Sequence, residues 1–159
     1  VEGRMKSHLY AGTMSKVYAQ ALKYYKENGH FLSEKLMEWE EELKKVTHRS
    51  YAPSNLVEKA GKDTIFDERE HDDTDSQYVM VGRVLDSIKD DSIVLEVRNA
   101  FNEGETLEIL PFKGSTKEVI LSSMRLLNND SIIRSNPTTI VKIPYIEGCE
   151  YNNLVRKRI

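Results

Sequence analysis

The chain has 159 residues, a formal net charge of −3, 39% aliphatic and aromatic residues and 31% charged ones. That is enough for one ordinary domain, or a small domain with an added element, and too little for a large enzyme. No apolar run approaches the roughly 20 residues that span a bilayer, the N-terminus has no secretory pattern, and the lone Cys149 excludes an internal disulfide and a cysteine-only metal site in these residues. A soluble chain in the cytoplasm, with no membrane partner, is expected.

The charge is unevenly placed. Residues 63–75 hold seven acids (Asp63, Asp67, Glu68, Glu70, Asp72, Asp73 and Asp75) against the single base Arg69, which leaves the remainder at +3. An anionic partner is therefore not excluded, and the mild excess is no nucleic-acid footprint by itself.

In chain order, Val1-Glu2-Gly3-Arg4-Met5-Lys6-Ser7 sets two cations around a glycine and a methionine just ahead of a helix. It resembles a substrate-facing loop with no catalytic scaffold before it, and we expect the cut end of a larger protein. Met14, Val17, Tyr18, Ala21, Leu22 and Tyr25 recur at helical spacing over 14–28, with Thr13 as the expected N-cap and Gly29 just past the end. After Ser33 a second amphipathic helix carries Leu36, Trp39, Leu43 and Val46 on one stripe, with Glu40, Glu41, Glu42, Lys44 and Lys45 suited to the solvent side, and the linker 29–32 makes the two a helical hairpin. The stripe of Met14, Tyr18, Leu22, Leu36, Trp39 and Leu43 suits packing better than a cofactor box; it can cover the barrel or pair two copies, so a homodimer through the hairpin is one expected partner arrangement.

Periodicity fails over 50–77, where Pro53, Gly61 and the acidic run mark a linker. From Tyr78 the period becomes two. Strands are expected at 78–86, 93–98, 106–110, 118–127 and 139–143, separated by turn-forming residues such as Asn102-Glu103-Gly104-Glu105. Five or six short antiparallel strands bury an apolar face best by closing into a small barrel or pairing two sheets, and the barrel is preferred. The expected class is α+β, with segments 1–49, 50–77 (acidic linker) and 78–159 (barrel).

Several runs carry a family resemblance. Glu2-Gly3-Arg4-Met5-Lys6-Ser7 with Tyr10, the hairpin, and Thr47-His48-Arg49-Ser50-Tyr51 resemble the region after the catalytic part of the collagenase-like peptidases, peptidase family U32. Val81-Gly82-Arg83-Val84-Leu85, Leu95 to Phe101, Gly104 to Pro111 and Asn153-Leu154-Val155-Arg156-Lys157 resemble the family's C-terminal barrel in order and spacing, and this portion also resembles translation-factor barrels. The resemblance departs after Tyr51, where Ala52-Pro53-Ser54-Asn55-Leu56 replaces the family's usual Thr-Gly-Phe-like stretch.

The resemblance implies an N-terminal α/β catalytic domain upstream as the first partner, named for collagen degradation and in some members holding an iron–sulfur cluster. It further implies, for bacterial members, a need in prephenate-dependent hydroxylation of a tRNA wobble uridine or a ribosomal RNA cytidine. Cys149 matches none of the cluster cysteines. On this reading the chain is a non-catalytic accessory region that supports hydroxylation of tRNA or rRNA by binding substrate. The alternatives are a region positioning a protein substrate for a true peptidase, or a structural or oligomerising module.

Candidate residues follow from charge and shape. Arg4 and Lys6 suit a carboxylate or phosphate of the parent's substrate, set against a plain charged surface loop. His48, Arg49 and Tyr51 offer a proton carrier, a cation and an aromatic platform, set against a histidine at a helix end favoured by the dipole. The acidic run with His71 lacks the spacing of a calcium loop and reads as solvated linker. In the barrel, Arg83, Arg98, Arg156, Lys157 and Arg158, with Arg125, Arg134 and Lys142, are candidates for an RNA backbone, with Tyr78, Phe101 or Tyr151 for stacking. From Ser76 onward, eleven bases are balanced by eleven acids, so ordinary surface display is the competing reading. No general base, nucleophile or complete ligand set emerges.

Overall fold

The computed structural model describes residues 6–48, 59, 61 and 77–159. Arg4, Arg49, Tyr51 and the acidic run with His71 lie outside the described residues.

The first helix, α1 (His8–Asn28), starts well ahead of the expected Met14 because Ser7 rather than Thr13 is its N-cap. The Ser7 hydroxyl accepts from the Tyr10 amide at 3.2 Å, satisfying one of the donors a helix start leaves unpaired. Thr13 is instead fully buried inside the helix. Gly29 ends α1 at φ 72°, a left-handed conformation that glycine adopts without strain, and its amide donates to the Tyr25 carbonyl at 2.8 Å. The second helix, α2 (Ser33–Lys44), follows the short linker as expected. Trp39 is buried between Tyr24 and Phe31, with ring centroids 5.8 and 5.9 Å away and nearly perpendicular rings, an arrangement favoured by the ring quadrupoles.

Seven antiparallel strands follow: β1 (Tyr78–Ile88), β2 (Ser92–Val97), β3 (Thr106–Leu110), β4 (Lys117–Ile120), β5 (Arg125–Leu126), β6 (Ile140–Pro144) and β7 (Leu154–Arg158). They form one sheet in the order β4-β3-β7-β1-β2-β6-β5. The expected strand 118–127 is two short strands on opposite edges. Leu121-Ser122-Ser123-Met124 crosses between them, with Leu121 and Met124 buried in the core. Four residues span at most about 14 Å, so a seven-stranded sheet whose edges are joined by so short a link has to curl. The result is the expected α+β arrangement, a helical hairpin followed by a small antiparallel barrel, realised as a curled, half-barrel sheet.

Alternation along each strand separates two faces. Val81, Val84, Ile93, Leu95, Val97, Leu107, Ile109, Val141, Ile143 and Val155 point into the curl, where Phe101, Leu121 and Met124 fill the remaining space. Gly82 permits a close approach of two backbones: a Cβ there would lie 2.6 Å from the Glu96 carbonyl oxygen, beside a break in the β1–β7 register. The other face of β3, β7 and β1 carries Leu110, Leu154 and Met80, and the hairpin covers it through Leu9, Met14, Leu43 and Val46. Gly12 fits against Leu154 in this contact. Among the described residues, no helix is long and apolar enough to cross a membrane.

Candidate nucleic-acid interface

Glu108 and Arg156 are direct partners in the β3–β7 ladder and lie on the face that the hairpin covers. Arg156 is fully buried; its Nε and Nη2 donate to Glu108 Oε2 at 2.9 and 2.6 Å, and Nη2 also reaches both oxygens of Glu42, on α2, at 2.8 and 2.9 Å. Lys45 donates to Glu108 at 3.2 Å, and the Arg156 and Lys45 charges both lie 5.1 Å from the Tyr78 ring centroid, within cation–π range. Burial pushes the Glu108 carboxyl up, but the Arg156 hydrogen bond and charge, with Lys45 behind them, outweigh it and hold the group below its usual range. This corrects the expectation for Arg156: with no exposed surface it is not open to a phosphate, and its charge ties the hairpin to the sheet.

Lys16 of α1 lies within reach of the same charges. Burial lowers its pKa to about 8, with Glu42 opposing and Arg156 adding to the shift. Its Nζ, Arg156 Nη1 and Thr13 Oγ1 are buried without a hydrogen-bond partner among the described residues. Sequence reading missed Glu108 and Lys16, and the solvent side expected for Glu42 and Lys45 is corrected: their side chains are 14% and 26% exposed and turned to the seam, because Arg156 and Glu108 supply their partners. The signal available for Glu108 was its place between Leu107 and Ile109, on the same strand face as apolar Leu110.

Of the remaining barrel candidates, Arg83 and Arg98 both pair with Glu96, at 3.0 and 3.2 Å. Arg98 keeps half of its side chain exposed. Lys157 is bound by Glu105 at 2.7 Å and has 17% exposure, so little of it is open to a ligand. Burial raises Glu105, and the hydrogen bonds from Lys157 and Asn102 more than reverse this. Arg158 is exposed, donating to Gln77 at 2.7 Å, and Arg134 donates to Asn102 at 3.3 Å. Phe101 is fully buried, its backbone locked to Ser135 by bonds of 2.9 Å in both directions, and Tyr78 lies beneath the two cations; neither is a stacking platform. Tyr151 is exposed. Lys6 and His48 are half-buried, ahead of α1 and beyond α2 respectively.

At the end of the sheet where β2, β5 and β6 meet, a polar cleft of about 210 Å³ is lined by Asp91, Ser92, Ser123, Arg125, Asn129 and Lys142, with Ile143 and Pro144. Lys142 donates to Asn129 at 3.0 Å, and the Ser92 hydroxyl donates to Asp91 at 2.8 Å. The structure thus separates the candidate cations into a buried clamp, a paired set of Arg83 on β1 and Lys157 on β7, and an exposed set of Arg125, Arg134, Arg158 and Arg98, the last half-exposed beside its partner Glu96.

The chain is 30% identical over 164 aligned positions to the tRNA hydroxylation protein P1 of Bacillus subtilis (strain 168), covering 99% of this chain and 37% of the relative, so it spans little more than a third of that protein's length. The crystal structure of the C-terminal domain of a U32 peptidase from Geobacillus thermoleovorans aligns with a TM-score of 0.48 at 18% identity, over 50% of this chain and 92% of that one. Its selenomethionine variant gives 0.47 at the same identity, covering 50% of this chain and 99% of that one. Residues 1–66 match the model of peptidase family U32 and residues 76–156 match the model of the peptidase family U32 C-terminal domain, so the chain belongs to peptidase family U32.

Proposed function

We propose that this chain is an accessory region of a U32 protein that supports hydroxylation of tRNA or rRNA, contributing substrate-binding surface and leaving the reacting groups to the rest of the protein. The observation that carries this reading is the alignment of 99% of the chain with a relative named for tRNA hydroxylation. The open cations Arg98, Arg125 and Arg158 supply charge suited to a phosphate backbone, and exposed Tyr151 supplies a ring on which a base can stack.

The iron–sulfur cluster implied by the family does not fit the residues described here. Cys149 is the sole cysteine, burial pushes its thiol up to about 11, and among the described residues no three potential ligands converge. Arg4 and Lys6 are assigned to an anionic substrate of the parent, prephenate being one; alanine at both positions should raise the parent's KM for that substrate, and an unchanged KM removes the assignment. The direct test of the main reading compares nucleosides of tRNA and rRNA, by mass spectrometry, from cells with and without the parent gene. Loss of a hydroxylated pyrimidine is expected; an unchanged profile together with gelatin cleavage by the purified parent would favour a peptidase.

A second reading rests on its own observation. Tyr18, Leu22, Tyr25, Phe31, Leu32, Leu36 and Met37 are exposed on the hairpin, an apolar surface of the kind that marks a protein contact. We assign it to the upstream catalytic domain, with a homodimer as the alternative outcome. Light scattering on the purified chain distinguishes them, since a dimer dispersed by Leu22→Glu would favour pairing of copies.

A further inference from the structure

Arg125 and Lys142 are direct partners in the β5–β6 ladder, so two positive side chains stand opposite one another on the same sheet face. Like charges in that position repel and destabilise a sheet. Other cations of the barrel each meet a carboxylate: Glu96 lies between Arg83 and Arg98, Glu105 holds Lys157, and Glu108 holds Arg156. Here none does. Lys142 meets only the neutral Asn129 amide, and Arg125 forms no ion pair or side-chain hydrogen bond among the described residues.

Both cations open into the cleft that Ser123 also lines, which places two positive charges and a hydroxyl around one small volume. We infer that this cleft is an anion site that takes a phosphate of an RNA backbone, with Arg125 and Lys142 supplying the charge; the RNA part of the inference rests on the function proposed above. Asp91, which also lines the cleft, sharpens the ligand class. Its carboxylate, already accepting from Ser92, can accept a further hydrogen bond from a hydroxyl, whether of a ribose or of a protonated phosphate. A ribose phosphate carries both groups, and its 2′-hydroxyl is what separates RNA from DNA at such a site.

Two measurements on the 159-residue chain test this. Titration of the isotopically labelled protein with inorganic phosphate should shift amide resonances around Ser123, Arg125 and Lys142; shifts scattered over the surface would overturn the site. In the second, filter binding of an unmodified tRNA transcript is followed against salt for the wild type and for Arg125→Ala/Lys142→Ala. Loss of the contact to this phosphate should lower the slope of log K against log salt by about 1, and the wild type should prefer the transcript to DNA of the same sequence. An unchanged slope in the variant would overturn the RNA contact at this cleft. If the wild type retains no tRNA while phosphate still shifts the cleft, the RNA reading fails and the anion site stands. Lys142→Glu guards against misfolding as an explanation: it gives Arg125 a carboxylate partner, so it should melt at or above the wild-type temperature yet lose the phosphate shifts.

Discussion

The inside of the curled sheet and the seam between sheet and hairpin are built on opposite principles. The inside is hydrocarbon: Val81, Ile93, Leu95, Val97, Leu107, Ile109 and Phe101 are fully buried, and no charged side chain belongs to that cluster. The seam has a smaller apolar cluster around Leu9, Met14, Val46 and Leu110, and beside it sit the buried charges of Arg156, Glu108 and Glu42. Apolar burial is non-directional and stabilises any close packing, whereas a buried ion pair contributes little net stability and holds well only in one geometry. The barrel interior therefore keeps the sheet folded, and the seam fixes how the hairpin sits on it. The seam also joins the two matched segments, since Glu42 lies in the segment matching the U32 model and Arg156 in the segment matching its C-terminal domain. The barrel is held to the first segment as a fixed extension.

The largest expected effect lies inside the curl. Phe101→Ala should cost about 3–5 kcal/mol, the usual range for emptying a packed aromatic site, and chemical denaturation should show the whole sheet losing stability. Arg156→Ala comes next, at about 3 kcal/mol, because it leaves Glu108 and Glu42 facing one another with only Lys45 between. The region affected should differ: hydrogen exchange should speed first in α1 and α2 while the amides of β2 and β6 stay protected. If both variants released the same amides together, the proposed division of labour would be wrong. Replacing the three charges at once, with Arg156→Met, Glu42→Leu and Glu108→Leu, should bring stability back to within about 2 kcal/mol of wild type. Acid acts on the seam in the same sense. The Glu108 pKa is depressed below 4.5, so its contribution is complete above that value and is lost as pH falls through the folded-state pKa.

Period-two alternation made β1, β2, β3 and β6 legible, since Ile93, Leu95 and Val97 announce their face without help from the rest of the chain. Helical spacing did the same for α2. Failures arose where a distant residue supplied the cause. β7 reads as a basic tail because Arg156, Lys157 and Arg158 hide its alternation, and only Glu42 and Glu108, far away in sequence, make a buried arginine there tenable. The break between β4 and β5 follows from edge closure, a global property that Ser122-Ser123 does not display locally. The start of α1 was misplaced because Ser7 and Thr13 are both capping residues by type; Ser7, the better cap, takes the position and Thr13 is fully buried inside the helix. For the candidate site, charge count was readable and availability was not: Arg156 and Arg125 look alike in sequence, yet one is sealed in the seam and the other opens to solvent.

The smallest effect expected is also the one that tests the seam most selectively. Lys16 has a folded-state pKa of about 8 against an ordinary 10.5, because burial opposes its charge and Arg156 adds to that opposition. Below pH 8 it is charged both folded and unfolded, and the folded state bears the full penalty. Between pH 8 and 10.5 the unfolded chain binds more protons than the folded one, so the free energy of unfolding rises with pH across that window. Lys16→Met keeps the length of the side chain and removes the charge. It should be more stable than wild type at pH 7 by on the order of 1 kcal/mol, a figure already reduced for solvent screening of a half-buried group, and the gap should close by pH 10.5. An advantage that did not change with pH would trace the gain to packing and leave the charge of the seam uninvolved. A loss of stability at pH 7 would mean that Lys16 stabilises the seam as a partner of Glu42, making the seam a balanced ion cluster in place of one with an unpaired cation.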